Sequence, residues 1–171
     1  MRRPSLPRPS ARPAPRRRGR YNGCANAVMG GDAMHSRETI GLGEGRRALD
    51  AILDAHAAAG DPRPVAVAVV DDAGELVSFA RSGPGNALSA RVAVAKAYSA
   101  ARTRSETGLL GPRLAEMGVG VGDLADPGLT ALRGGVPVLG ADGACVGAIG
   151  VSGLAAVEDE ELARRGVEAI G

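Results

Sequence analysis

Lys96 is the only lysine in a chain whose other 20 basic residues are all arginine. It falls in an Ala-rich run, and the residues three and four positions away are Val92, Ala93, Ser99 and Ala100. None of these is a carboxylate, so no ion pair along a helix answers the ammonium. A buried lysine here needs a distant acid, a carbonyl, or an anionic ligand. Otherwise it snorkels to solvent or pairs across a subunit boundary. Two hydroxyls, Ser99 and Thr107, lie in the same region and could orient an anion held by Lys96. Thr107 could equally cap a helix, although Ser105 stands at the better capping position. His56 offers an imidazole that could ligate iron, on a helix face where a buried, hydrogen-bonded histidine is the commoner outcome.

Other constellations point to structure. Gly147, Gly150 and Gly153 permit close backbone approach, but no Lys-Ser/Thr follows them as a phosphate-binding loop requires. They fit packing of a helix or a second subunit against a strand. Asp71-Asp72 reads as turn chemistry, and Glu158-Asp159-Glu160-Glu161 as acidic charge at the positive end of a helix. The sequence offers no Ser-His-Asp, Cys-His, HExxH or Walker element. Cys24 and Cys145 fit two free thiols in a reducing cytoplasm. With two Tyr, one Phe and no Trp, a ligand pocket is expected to be lined by Val, Leu, Ala and backbone.

The elements that must position these residues follow from periodicity and turn signals. Val65 to Phe79 is an apolar run, an Asp-Asp-Ala-Gly turn and a second apolar run, which predicts a hairpin over 64–81. Gly135 to Gly153 repeats the grammar through Ala141-Asp142-Gly143. A helix capped by Ser36 carries Ala48, Leu49, Ile52, Leu53 and His56 on one face and stops at Gly60-Asp61-Pro62. Helices are also predicted from about Leu88 to Arg102, from Ser105 to about Met117, and from near Val157 onward, with 118–132 irregular. The order is α-β-β-α-α-β-β-α. Helices fall between hairpins and not between successive parallel strands, which disfavours a Rossmann sheet and favours an α+β fold with a helix-covered antiparallel sheet.

Charge separates the chain into two parts. Residues 1–31 hold eight arginines and no acid, whereas the remainder carries 13 basic and 19 acidic residues, a net of −6. The domain itself therefore lacks the clustered positive charge that nucleic acid requires. Residues 1–36 have too little apolar content to fold and are expected to be a disordered Arg/Pro-rich tail. An upstream start, with Met29 or Met34 as the true beginning, is one account of it. A nucleic-acid-binding arm is another. An export signal lacks its apolar core, which leaves the cytoplasm as the expected location. No run is long and apolar enough to span a membrane.

The literal residues go further. Val69-Val70-Asp71-Asp72-Ala73-Gly74-Glu75-Leu76-Val77 is followed by Lys96-Ala97 and, eleven residues on, Thr107. Gly134-Gly135-Val136-Pro137-Val138 and Val146-Gly147-Ala148-Ile149-Gly150-Val151-Ser152-Gly153 come next, then Asp159 ahead of Ala163-Arg164-Arg165-Gly166. Over residues 37–171 this resembles the GlcG/HbpS family of haem-binding and haem-degrading-type proteins, which has actinobacterial members, and the excess of Arg over Lys fits a GC-rich genome of that kind. The same module forms the C-terminal domain of PduO-type proteins. The resemblance implies a five-stranded antiparallel sheet of profilin-like topology flanked by helices, assembled as a homo-oligomer. It implies a small-molecule ligand, haem or cobalamin, with no defined catalytic activity. An enzyme or accessory acting on a small organic acid and a structural oligomerisation module are the alternatives. The ligand-binding positions it suggests are Lys96, Ser99, Thr107, Arg81, Gly150 and Ser152, with Thr107 and His56 the candidates to meet a metal.

Overall fold

Asp71 closes the first hairpin with its own side chain. Its Oδ1 accepts the amides of Ala73 at 2.9 Å and Glu75 at 2.8 Å, and Gly74 takes φ +91°. Asp142 does the same in the second, accepting the amide of Ala144 at 2.9 Å beside Gly143 at φ +79°. Both turns are those the Asp and Gly residues predict.

The computed structural model describes residues 37–85 and 87–171. The elements run α1 (Leu42–Ala58), β1 (Ala66–Asp71), β2 (Leu76–Arg81), α2 (Ala87–Thr103), α3 (Thr107–Glu116), a 3-10 turn (Val121–Leu124), β3 (Gly135–Leu139), β4 (Cys145–Ser152) and α4 (Ala156–Glu168). The four strands form one antiparallel sheet in the order β2-β1-β4-β3. The expected fifth strand is absent among the described residues. Each hairpin supplies two strands, and the long connection over 118–134 adds none. That stretch is broken by Gly118, Gly120, Gly122, Pro127 and Gly128 and forms the 3-10 turn instead.

The start of α1 also differs from expectation. Residues 37–40 are not helical, because Ile40 is drawn down onto the sheet, its amide donating to the Val146 carbonyl at 2.9 Å. The helix begins after Gly41, whose amide donates to the Glu44 carboxylate at 3.2 Å. The expected tail over 1–36, with Ser36 as a cap, lies outside the described residues.

Alternation along β1 sorts the core into two layers. Val65, Val67 and Val69, with Val136, Val138, Ile149 and Val151, meet Ala48, Leu49 and Ile52 of α1 and Leu162 and Ala163 of α4. The opposite face presents Ala66, Ala68, Val70 and Ala148 to Ala93, Ala97, Ala100 and Ala101 of α2. Large side chains fill one side and alanines the other, so α2 lies close to the sheet. Gly135, Gly150 and Ala68 form one cross-strand row beneath it. A Cβ on Gly150 would collide with the Ala93 carbonyl oxygen, and one on Gly135 with that of Lys96.

Candidate functional site

Close packing of α2 carries Lys96 into the interior, where it is 3 % exposed. Its Nζ donates to Asp159 Oδ2 at 2.7 Å and to the Val151 carbonyl at 2.8 Å. The distant acid thus comes from the first turn of α4, and its Oδ1 accepts the Leu154 amide at 3.0 Å. Burial holds the Asp159 carboxyl above its ordinary pKa, against the opposing pull of Lys96 and the Leu154 amide. Gly134, at φ +119°, closes over the pair, with room for no side chain beside Lys96 Nζ.

The two hydroxyls are also engaged internally. Ser99 Oγ donates to the Ala95 carbonyl at 2.7 Å and accepts the Thr130 amide at 2.8 Å. Thr107 is the first residue of α3, and its Oγ1 accepts the Gly135 amide at 2.9 Å. Lys96, Thr107 and Asp159 together clamp the start of β3 between three helices. Arg81, Ala66 and Ser152 share one row at the end of the sheet, with Arg81 exposed and Ser152 buried. Gly150 lies one row pair further in, under α2. The sheet therefore sets Arg81 and Ser152 on opposite sides of β1, and Ser152 directly follows Val151, whose carbonyl Lys96 holds. His56 is buried on α1 and borders two grooves, one against α4 and one against the Pro62–Pro64 segment. Among the described residues no three His, Cys, Asp or Glu side chains gather as a metal site.

Glu160, next to Asp159, is buried as well. Arg133 meets it with two hydrogen bonds of 2.8 Å, and Arg164 reaches it at 2.6 Å while also pairing with Glu106. Arg133 above all holds the Glu160 carboxyl below its usual pKa. Two acids of the run read as helix-end charge are therefore buried anchors.

The grooves beside α1, α4 and β2 are lined by none of Lys96, Ser99, Thr107, Arg81, Gly150 and Ser152. The most apolar of them, about 620 Å³, lies between the edge strand β2 and α2. Leu76 and Phe79 form its strand side, and Arg91, Val94 and Tyr98 its helix side. This groove holds the single Phe and one of the two Tyr, unlike the ring-free lining expected of a ligand pocket. The signal was the spacing Arg91, Val94, Ala95, Tyr98, one helix face at i, i+3, i+4, i+7 opposite an outward Phe. Tyr98 Oη donates to Asp126 Oδ2 at 2.7 Å, which keeps the phenol above and the carboxyl below their ordinary pKa values.

Fold and groove define an α+β domain on a four-stranded antiparallel sheet, with an apolar cleft at one edge and its buried charges paired internally. The chain belongs to the HbpS-like family: the family model described as "Haem degrading protein HbpS-like" matches residues 44–168. It is similar to a double mutant of HbpS from Streptomyces reticuli, with 31% identity, a TM-score of 0.73, and coverage of 95% of this chain and 99% of that one. A second HbpS crystal structure is 33% identical with a TM-score of 0.72, covering 85% and 99%. PduOC, crystallised as a haem complex, shares the fold at 21% identity and a TM-score of 0.67, covering 78% and 96%. Among curated proteins none matches the sequence.

Proposed function

We propose that this protein binds haem or a closely related tetrapyrrole, and that the ligand lies in the groove between β2 and α2. The observation that carries the reading is that groove, in a chain of a haem-degrading family. Its volume of about 620 Å³ falls within the range of small-molecule sites, which are mainly apolar with few polar groups. Leu76, Phe79 and Val94 suit the faces of a flat macrocycle. Arg91 has no carboxylate partner among the described residues and stands at the rim, suited to a propionate. A corrinoid fits less well, because its amide-fringed periphery needs many hydrogen-bond partners and this groove offers two polar side chains. The groove's apolar walls therefore suit the ring of haem, with Arg91 at the rim for a carboxylate. When bound, haem would supply iron-centred redox or ligand chemistry. The Lys96–Asp159 clamp serves the site by fixing α2, the helix that carries Arg91 and Tyr98.

Titration of the full chain with haemin tests this. A Soret shift that saturates at one haemin per chain is expected. A raised melting temperature should accompany it, since ligand at one hundred times its Kd stabilises by about 2.7 kcal/mol. Non-saturating uptake with no thermal shift would refute the reading. A homo-oligomer is the second reading, favoured by the edge of β2, which among the described residues pairs only with β1, beside Leu76 and Phe79, which are 53 % and 38 % exposed. Light scattering with and without haemin separates the two, because a subunit contact over the groove would compete with the ligand.

A further inference from the structure

The eight residues around the β2–α2 groove present a surface that is apolar almost throughout. Arg91 and Tyr98 are the two with polar side chains. Tyr98 commits its hydroxyl elsewhere: Oη donates to Asp126 Oδ2 at 2.7 Å, and Asp126 does not line the groove. A Cβ on Gly74 would stand 2.6 Å from Tyr98 Cδ2, and one on Gly128 2.9 Å from Cε1, so two turns pack against the ring and hold it there. What Tyr98 offers a ligand is ring carbon. Arg91 has no carboxylate partner among the described residues, and a guanidinium has no lone pair to give a metal. Groups that could meet iron lie in other places. His56 is on α1, which packs against the opposite face of the sheet from α2. The Thr107 hydroxyl is buried against the Gly135 amide, and Cys145 Sγ lies beside the Gly147 carbonyl. A metal at the centre of a ring in this groove would therefore face hydrocarbon, whereas a carboxylate at the ring's edge would face a guanidinium.

Resting on the tetrapyrrole reading above, we propose that the groove recognises the ring and one peripheral carboxylate and not the metal, so that metal-free porphyrins are ligands on the same footing as haem. Leu76, Phe79 and Val94 remove the same hydrocarbon from water whether or not the ring carries iron. Arg91 makes the same charge-assisted pair with a propionate in both cases. No bond between the described residues and iron enters the affinity. The site then suits a porphyrin before it gains a metal and after it loses one.

The test sets protoporphyrin IX, the metal-free ring, beside haemin in titrations of the full chain and of Arg91→Gln, Arg91→Lys and Ala95→Leu. Haemin is followed by its Soret band and protoporphyrin IX by its emission. Both are expected to saturate on the wild type with affinities less than about tenfold apart. Bound haemin should show the high-spin ferric spectrum of an iron without a protein ligand. Arg91→Gln should weaken both rings alike, by about two- to fivefold as for an exposed ion pair, and Arg91→Lys should restore part of the loss. Ala95→Leu, which puts bulk into the groove, should weaken both by a larger factor. Affinities more than about tenfold apart in either direction would overturn the proposal. A low-spin spectrum of the imidazole or thiolate type would do the same, even with the ligand coming from a second copy. An Arg91→Gln affinity unchanged for both rings would overturn the carboxylate contact. Should a variant fail to fold, the wild-type comparison of the two rings decides alone. Absence of saturable uptake of either ring would overturn the tetrapyrrole reading beneath it, a distinct outcome.

Discussion

Lys96 neutralises its charge inside the protein, on Asp159 and the Val151 carbonyl. Both side chains of the pair are 4% exposed, so removing one leaves the other as an uncompensated buried charge. Lys96→Met is expected to cost about 3–5 kcal/mol, and Lys96→Met combined with Asp159→Leu to recover much of that. Urea unfolding of the three proteins measures both. The pH dependence has a definite sign. Burial already raises the Asp159 carboxyl, and losing Lys96 raises it further. A group with a raised native pKa favours the folded state below that pKa and loses the benefit as pH rises through it. The deficit of Lys96→Met should therefore shrink from neutral to mildly acidic pH. The sequence marked Lys96 as a group in need of a partner, because its helical neighbours hold no acid. It could not name Asp159, 63 positions away, since that contact depends on where α4 docks. Tyr98 escaped notice for a related reason: its groove exists only once β2 lies beside α2.

At the scale of elements, the contact of α2 with the sheet depends on side chains that are missing. Gly150 and Gly135 are paired across β4 and β3, and backbone of α2 occupies the space a Cβ would take. Gly150→Ala is expected to destabilise by about 1–3 kcal/mol or more through overpacking. Gly122→Ala, at a position with open space around it, should be near neutral. Thermal unfolding of the two variants compares them directly, and equal melting temperatures would refute the close-packing account. Here much was legible. Periodicity and turn residues located all four helices and both hairpins, and the glycines on the fourth strand were read as packing positions. The first helix was misplaced by several residues because Ser36 looked like a cap. Burial of Ile40 against the sheet outweighed that local preference.

Across the whole molecule, the Glu106–Arg164–Glu160–Arg133 chain of ion pairs joins α3, the segment before β3, and α4. Arg133 and then Arg164 hold the Glu160 carboxyl below its ordinary 4.5. Stability from a depressed carboxyl is fully present above the unfolded value and lost as pH falls through the native one. The wild type should thus lose stability on acidification below about pH 4.5 more steeply than Glu160→Gln. At neutral pH the substitution should cost about 1–3 kcal/mol, because a charged hydrogen-bond acceptor is replaced by a weaker one. Denaturant unfolding across the acid range reads both effects. Parallel acid limbs would show that Glu160 carries no such linkage.

Elements, turns and family were written in the sequence, because hydrophobic period, Asp-Gly turns and literal motifs are local properties of the chain. The number of strands was not, since a strand exists only by pairing, and the Gly- and Pro-broken stretch before β3 forms no strand among the described residues. Nor were the partners of the acidic run at 158–161, which local reasoning assigned to a helix end. Two of those acids became buried anchors when α4 settled on the sheet. The groove is likewise a property of the assembled fold, formed where a strand from one hairpin and a helix after it leave their apolar faces apart.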